Sequence, residues 1–205
     1  MVGASPPYLI VIAGPNGAGK TTYAKKNLKS FIEAHIFLNA DEIAREDNPD
    51  DVAAAALEAG RKALARRTKL LNAHKSLCIE TTLAGNSIKR FMSEARGAGY
   101  IVRLIFLFTA SPVLNEVRVM HRVMTGGHNI PVDVIRRRHA RGLERLADCW
   151  DVCDEGLLAD ANSRVPSPVL LKENGKTTVA SEAGLAILRD SLVSAGCRVP
   201  ANPRN

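Results

Sequence analysis

The octapeptide Gly14-Pro-Asn-Gly-Ala-Gly-Lys-Thr21 follows directly on the continuous apolar run Tyr8–Ala13 and satisfies the spacing G-x-x-x-x-G-K-[ST] at every position. No other feature of the chain narrows its fold as much. The run before it has the β-branched character of a strand covered on both faces, and the residues after Lys20 form helices readily. Between them, Gly14, Pro15, Asn16, Gly17, Ala18 and Gly19 form a turn whose backbone N–H groups can point inward around phosphates. The start of the helix adds partial positive charge. Lys20 is placed to reach the β- and γ-phosphates, Thr21 to offer its hydroxyl to magnesium, and Thr22 to join the nucleotide contacts. The motif therefore predicts ATP and Mg2+ as cofactors.

The rest of the 205 residues alternates strand and helix. Helices are expected over about 20–28, from 41 to 46, over 50–72 (apolar Val52, Ala56, Ala63 and Leu70) and over 87–97. Strands are expected at 35–39, 77–80 and 100–108. Ser111 can N-cap the next helix, with Pro112 at its first position, and Gly126-Gly127 stops it. The loop 127–131 leads into a basic helix of about 132–147. A strand follows at 156–161, then a hairpin of 169–173 and 176–180 about Asn174-Gly175, and a helix over 181–194. Such alternation predicts an α/β P-loop NTPase or kinase fold, with a mainly parallel sheet and helices on both faces. The expectation is one domain over 1–205, with a helical lid at about 111–147 and a C-terminal hairpin and helix at about 168–194. Ligands in such sheets sit beyond the carboxyl ends of the strands.

Composition limits the partners. The net charge of +7 suits an anionic ligand, while 4% aromatic residues leave no cluster able to stack several bases, so nucleic acid is disfavoured. No apolar run reaches bilayer length, and residues 1–8 lack a basic leader region, which predicts a cytoplasmic protein without a membrane anchor. Cys78, Cys149, Cys153 and Cys197 show neither zinc spacing nor a disulfide framework and read as reduced bystanders.

Two carboxylates fall at expected strand ends. Asp41, after the strand at 35–39, can accept the proton of an attacking hydroxyl, or it can N-cap the helix that follows. Glu80 ends an apolar strand in a Walker-B-like way, beside magnesium or substrate, or it is simply a solvated strand end. Seven arginines lie between 118 and 145: Arg118, Arg122, Arg136, Arg137, Arg138, Arg141 and Arg145. Flanking a hinge at Gly126–Asn129, they can bring guanidinium groups over a transferring phosphoryl. Two or three of them are expected to do so, the rest forming a solvated face partly paired with Glu144. His128 reads as a lid or packing residue.

In combination, Gly14–Thr22, Asn39-Ala-Asp-Glu42, Ile79-Glu-Thr-Thr82, Arg118-x-x-x-Arg122, Gly126-Gly-His-Asn-Ile-Pro131, Arg136–Arg138 and Asn162-Ser163 resemble the zeta-toxin family of P-loop kinases. The resemblance is closest to short stand-alone bacterial members and covers roughly residues 8–180. It implies ATP-dependent phosphorylation of a small molecule, the 3′-hydroxyl of UDP-N-acetylglucosamine, and a possible cognate antitoxin. Carried over, Asp41 is the base, and Lys20 and Thr21 hold phosphate and magnesium, with Glu80 as a second metal contact. Arg118 and Asn162 fall on the nucleotide side; Glu80, Thr82, Arg136 and Arg138 fall on the substrate side. Arg122 and Arg137 stabilise the transferring charge. The long C-terminal extension of the larger toxins is missing. Two further readings remain open: a polynucleotide or nucleoside kinase, and a non-catalytic ATP-dependent switch.

Overall fold

A computed structural model of the chain describes residues 5–200. Its elements run β1 (Tyr8–Ala13), α1 (Lys20–Asn27), α2 (Lys29–Ala34), β2 (Ile36–Asn39), α3 (Ala40–Asp47), α4 (Val52–Asn72), β3 (Leu77–Thr81), α5 (Ser87–Gly97), β4 (Ile101–Phe108), α6 (Pro112–Met124), α7 (Val132–Val152), β5 (Glu155–Asp160), β6 (Ser167–Glu173), β7 (Lys176–Val179) and α8 (Glu182–Ser194). The strands form a seven-stranded sheet in the order β2-β3-β1-β4-β5-β6-β7. The first five are mutually parallel, and β6 and β7 are added antiparallel at one edge. The fold is the α/β fold with a mainly parallel sheet that the alternation implies.

Strand β1 lies in the interior of this sheet, and its side chains divide between the faces with period two. Leu9, Val11 and Ala13 join Ile79, Leu104, Phe106 and the inner faces of α5, α7 and α8. Ile10 and Ile12 join Ile105 and Leu107 on the other face, under α1 and α2. Burial on both sides explains why β1 reads as an unbroken apolar run rather than an alternating one.

Three departures have local causes. Residues 29–34 form a separate helix after a break at Leu28 (φ −121°, ψ 21°), a break without glycine or proline to announce it. Helix α7 runs on to Val152, because Leu146, Ala147, Cys149 and Trp150 continue its buried face into the main core. The lid expected at 111–147 is therefore anchored along its second half. Val119, Ile130 and Ile135 form a small core of their own that holds α6, the following loop and the start of α7 together. Helix α4 packs mainly on α3 and leaves Leu57 and Leu64 70% and 45% exposed.

The hairpin forms at the expected turn, with Asn174 and Gly175 both at positive φ (50° and 78°). It ties down the end of α7: Lys172 Nζ donates to the carbonyls of Trp150 (2.6 Å) and Asp151 (3.3 Å), and Trp150 Nε1 donates to Thr177 Oγ1 (3.1 Å). All four cysteines are free. Burial pushes the Cys78 and Cys149 thiols up to about 12 and Cys153 up to about 11, so these three are packing residues. Among the described residues no helix is long and apolar enough to cross a membrane.

Candidate active site

Parallel pairing brings the chemistry to one edge. Ala13 at the end of β1 pairs with Thr81 of β3, and Glu80 of β3 pairs with Asn39 at the end of β2. The loop after β1 thus opens beside the carboxyl ends of β3 and β2. Gly14, Gly17 and Gly19 sit at φ 140°, 76° and 87°, where a side chain is strained, and the turn is closed by Ala18 N–H donating to the Pro15 carbonyl (3.2 Å). Asn16 and Lys20 are buried in it. The Lys20 ammonium donates to the Pro15 carbonyl at 2.9 Å and lies 3.9 Å from Glu80 Oε1. Burial holds its pKa below the ordinary lysine value, against the pull of Glu80 and Asp41.

Glu80 is not a solvated strand end. Its side chain is 9% exposed, and Oε2 accepts from Thr21 Oγ1 at 2.8 Å and from Asn39 Nδ2 at 3.1 Å. Desolvation nevertheless raises its pKa, with Lys20 and Thr21 opposing. A carboxyl whose folded pKa is raised contributes stability below its ordinary value of 4.5 and loses it as pH rises through the folded value. Glu80→Gln is therefore expected to flatten the decline in melting temperature that this group imposes as pH rises above 4.5. Thermal unfolding of both proteins across that range checks it, and parallel profiles would show that the carboxylate is not strained.

Asp41 is not the helix cap. That position belongs to Asn39, whose Oδ1 accepts from the Asp41 backbone N–H at 2.9 Å while its Nδ2 serves Glu80. The Asp41 carboxylate is thereby left to a small cavity of about 160 Å³ lined also by Asn16, Lys20, Glu80, Thr82 and Arg138. The double role of Asn39 was invisible as chemistry in the sequence, because an Asn before a helix signals only a cap.

The arginines separate into two groups. Arg122 shares a cavity with the glycine-rich loop, Asp41 and Glu80. Its Nη2 donates to the His128 carbonyl (2.9 Å), and its Nε is buried without a partner. Arg138 Nη1 donates to Asn16 Oδ1 (3.3 Å). Arg118 reaches the carbonyls of Ala161 (2.7 Å) and Asn162 (3.0 Å), joining α6 to the end of β5. Asn162 Oδ1 accepts from Ala110 N–H (2.9 Å), and its Nδ2 donates to Asp160 (2.6 Å). A groove of about 680 Å³ runs from Gly17 and Thr22 past Arg118 to Arg164 and Pro166.

Arg136 and Arg137 turn elsewhere. Arg136 pairs with Glu116 (2.7 Å), holding α7 to α6, and Arg137 pairs with Asp133 (3.4 Å) on the solvated face. Successive residues of a helix point about 100° apart, so the run Arg136–Arg138 can present one member to the loop and not all three. Arg145 meets Asn86 and Glu144. His139 is a core residue whose Nε2 bonds the Thr109 carbonyl (2.9 Å), and burial lowers its pKa. His128 is lowered by burial as well, with Asp41 opposing.

The sequence profile of the family described as Zeta toxin matches residues 2–153. The chain belongs to the zeta toxin family. An uncharacterised protein of Haemophilus influenzae is 34% identical over 132 residues, which is 63% of this chain and 91% of that protein. Among solved structures, the AvrRxo1-ORF1:AvrRxo1-ORF2 complex with sulphate ions aligns with a TM-score of 0.73 at 15% identity. The match covers 89% of this zeta toxin family member and 63% of that chain, so it spans less than two thirds of that neighbour's length. The same complex solved with ATP aligns at 0.73 and 16% identity, over 96% of this chain and 66% of the other. The PezAT toxin–antitoxin system of Streptococcus pneumoniae aligns at 0.60 and 18% identity, over 92% and 85%. At these identities the neighbours establish the fold, and the sequence profile establishes the family.

Proposed function

We propose that this kinase transfers the γ-phosphate of ATP to a hydroxyl of a small molecule, with UDP-N-acetylglucosamine as the acceptor. The observation that carries the reading is the convergence of Asp41, Lys20, Thr82 and Arg138 on one cavity at the mouth of the phosphate loop. In-line phosphoryl transfer asks a protein for a proton acceptor on one side and cations around the equatorial oxygens. Asp41 accepts the hydroxyl proton; Lys20, Arg122 and Arg138 hold the transferring charge. Arg118 and Asn162 shape the nucleotide side, and Thr82 borders the acceptor. Thr21 and Glu80, a hydroxyl and a desolvated carboxylate hydrogen-bonded at 2.8 Å, are hard oxygen donors beside the loop that would hold magnesium. When bound there it supplies charge neutralisation of the phosphates. A cognate inhibitor protein fits the same reading, since the PezAT neighbour is a toxin–antitoxin system.

Incubation with ATP, magnesium and UDP-N-acetylglucosamine should yield, by mass spectrometry, a sugar nucleotide with one added phosphate. No product with ATP still bound would remove that acceptor.

Arg122 is held in place by a tight backbone approach. Gly126 has φ 87°, so its glycine serves the turn, whereas Gly127 is not in the left-handed region. A Cβ at Gly127 would instead meet Arg122 Cγ at 2.5 Å and its carbonyl oxygen at 2.9 Å. Gly127→Ala should shift the guanidinium and lower kcat by up to about 100-fold, with ATP affinity retained. Steady-state kinetics beside ATP titration checks this, and an unchanged kcat would take Arg122 out of the transfer step.

A further inference from the structure

A cavity of about 490 Å³ opens beside the catalytic corner and shares Ala40, Glu80, Thr81 and Arg138 with it. One wall is the exposed face of α4, with Leu57 and Leu64; Leu38, Ile79 and Ile88 line the remainder. Large apolar side chains left open around a concave site mark a surface that a ligand covers.

Arg67 stands in this wall, one turn beyond Leu64. Its guanidinium carbon lies 4.4 Å over the Phe91 ring, and its Nη2 donates to Ser87 Oγ at 3.0 Å. Its Nε is buried without a partner, and among the described residues no carboxylate lies within ion-pair distance. Burial lowers the pKa of the guanidinium, outweighing the opposing pull of Glu94. A guanidinium carries five N–H donors, and one hydrogen bond here accounts for a single one. Arg61 and Arg138 also line the cavity. Its one carboxylate, Glu80, is already engaged by Thr21, Asn39 and Lys20. A half-buried cation fixed on an aromatic face, facing apolar walls and lacking a counter-ion, is completed by an anion.

We infer that Arg67 is the contact for an anionic group of the phosphate acceptor, and that the acceptor carries an apolar or planar portion beside that group, lying on Leu57 and Leu64. The hydroxyl end of this inference rests on the kinase reading; the anion contact rests on the surroundings of Arg67 alone. The two can fail separately.

The test uses the full chain saturated with ADP and magnesium, so that the phosphate loop is filled. The wild type, Arg67→Gln and Arg67→Lys are titrated by calorimetry with benzoate and with inorganic phosphate. The wild type should bind at least one of them, the Gln variant about tenfold or more weakly, and the Lys variant in between, with ADP affinity equal in all three. Tighter benzoate identifies a carboxylate attached to an apolar body, and tighter phosphate identifies a phosphoryl group. Equal binding by wild type and Arg67→Gln, or binding of neither anion by the wild type, overturns the assignment. Loss of anion binding in Arg67→Gln, in a protein that phosphorylates no acceptor, leaves this site standing and removes the kinase reading instead.

Discussion

Asp41→Asn should lower kcat by about 10²–10⁴-fold while ATP binds as before. Asparagine has nearly the same shape but takes no proton. The substitution spares the local structure, because the α3 cap runs from the Asn39 side chain to the backbone N–H of residue 41, which asparagine keeps. The loss of one negative charge from the first helical turn costs about 0.3–1 kcal/mol at most, so the melting temperature should hardly move. Glu42→Gln is the matched control. Glu42 is the next carboxylate of the same turn, and it faces Lys25 at 3.6 Å, with the lysine exposed and the carboxylate partly so. Exposed pairs of this kind contribute little, so that variant should turn over normally. Steady-state rates for the two variants beside ATP titration separate the roles. Wild-type turnover in Asp41→Asn would remove this residue as the proton acceptor.

The second large effect is structural. Gly14 has φ 140°, and a Cβ there would meet the Leu107 carbonyl oxygen at 2.3 Å and its carbonyl carbon at 3.2 Å. Leu107 is the penultimate residue of β4 and pairs with Ala159 of β5, in a strand held along its length between β1 and β5. Nothing flexible can give way. Gly14→Ala combines backbone strain with overpacking against a central strand, about 4 kcal/mol together. For a chain of this size that corresponds to a drop of about 10 °C in melting temperature. The loop itself is displaced, so ATP affinity should fall with it. Gly19→Ala provides the contrast: φ is 87°, and nothing lies within 4 Å of its Cβ. It should cost only the left-handed strain of about 1–2 kcal/mol. Equal melting temperatures for the two variants would show that the contact with Leu107 carries no weight.

The phosphate loop was legible because its requirements are local: positive-φ glycines, a lysine and a threonine in consecutive positions after a buried strand. The hairpin at Asn174-Gly175 and the Ser111 cap before Pro112 were legible for the same reason. Asp41 and Glu80 could be placed at strand ends, each with two roles left open: proton acceptor or helix cap for the first, site carboxylate or solvated strand end for the second. What decides them is a cross-strand neighbour, Asn39, brought beside Glu80 by the β2–β3 register. The arginines show the limit most clearly. Arg136, Arg137 and Arg138 are alike in sequence, and only the rotation of α7 against α6 puts the third on Asn16 and the first on Glu116. Arg67 carried no signal among the polar residues of a long helix, since its significance comes from Phe91 and Ser87 on a different element.

The central claim is that ATP held on the Gly14–Thr21 loop gives its γ-phosphate to a hydroxyl of a second molecule rather than to water. Phosphorus NMR on the protein with ATP, magnesium and a bacterial small-molecule extract follows that phosphorus directly. A new phosphomonoester resonance growing as the γ-resonance of ATP declines, and absent with Asp41→Asn, is the predicted result. Inorganic phosphate as the sole product, or an ATP spectrum that never changes, would contradict it.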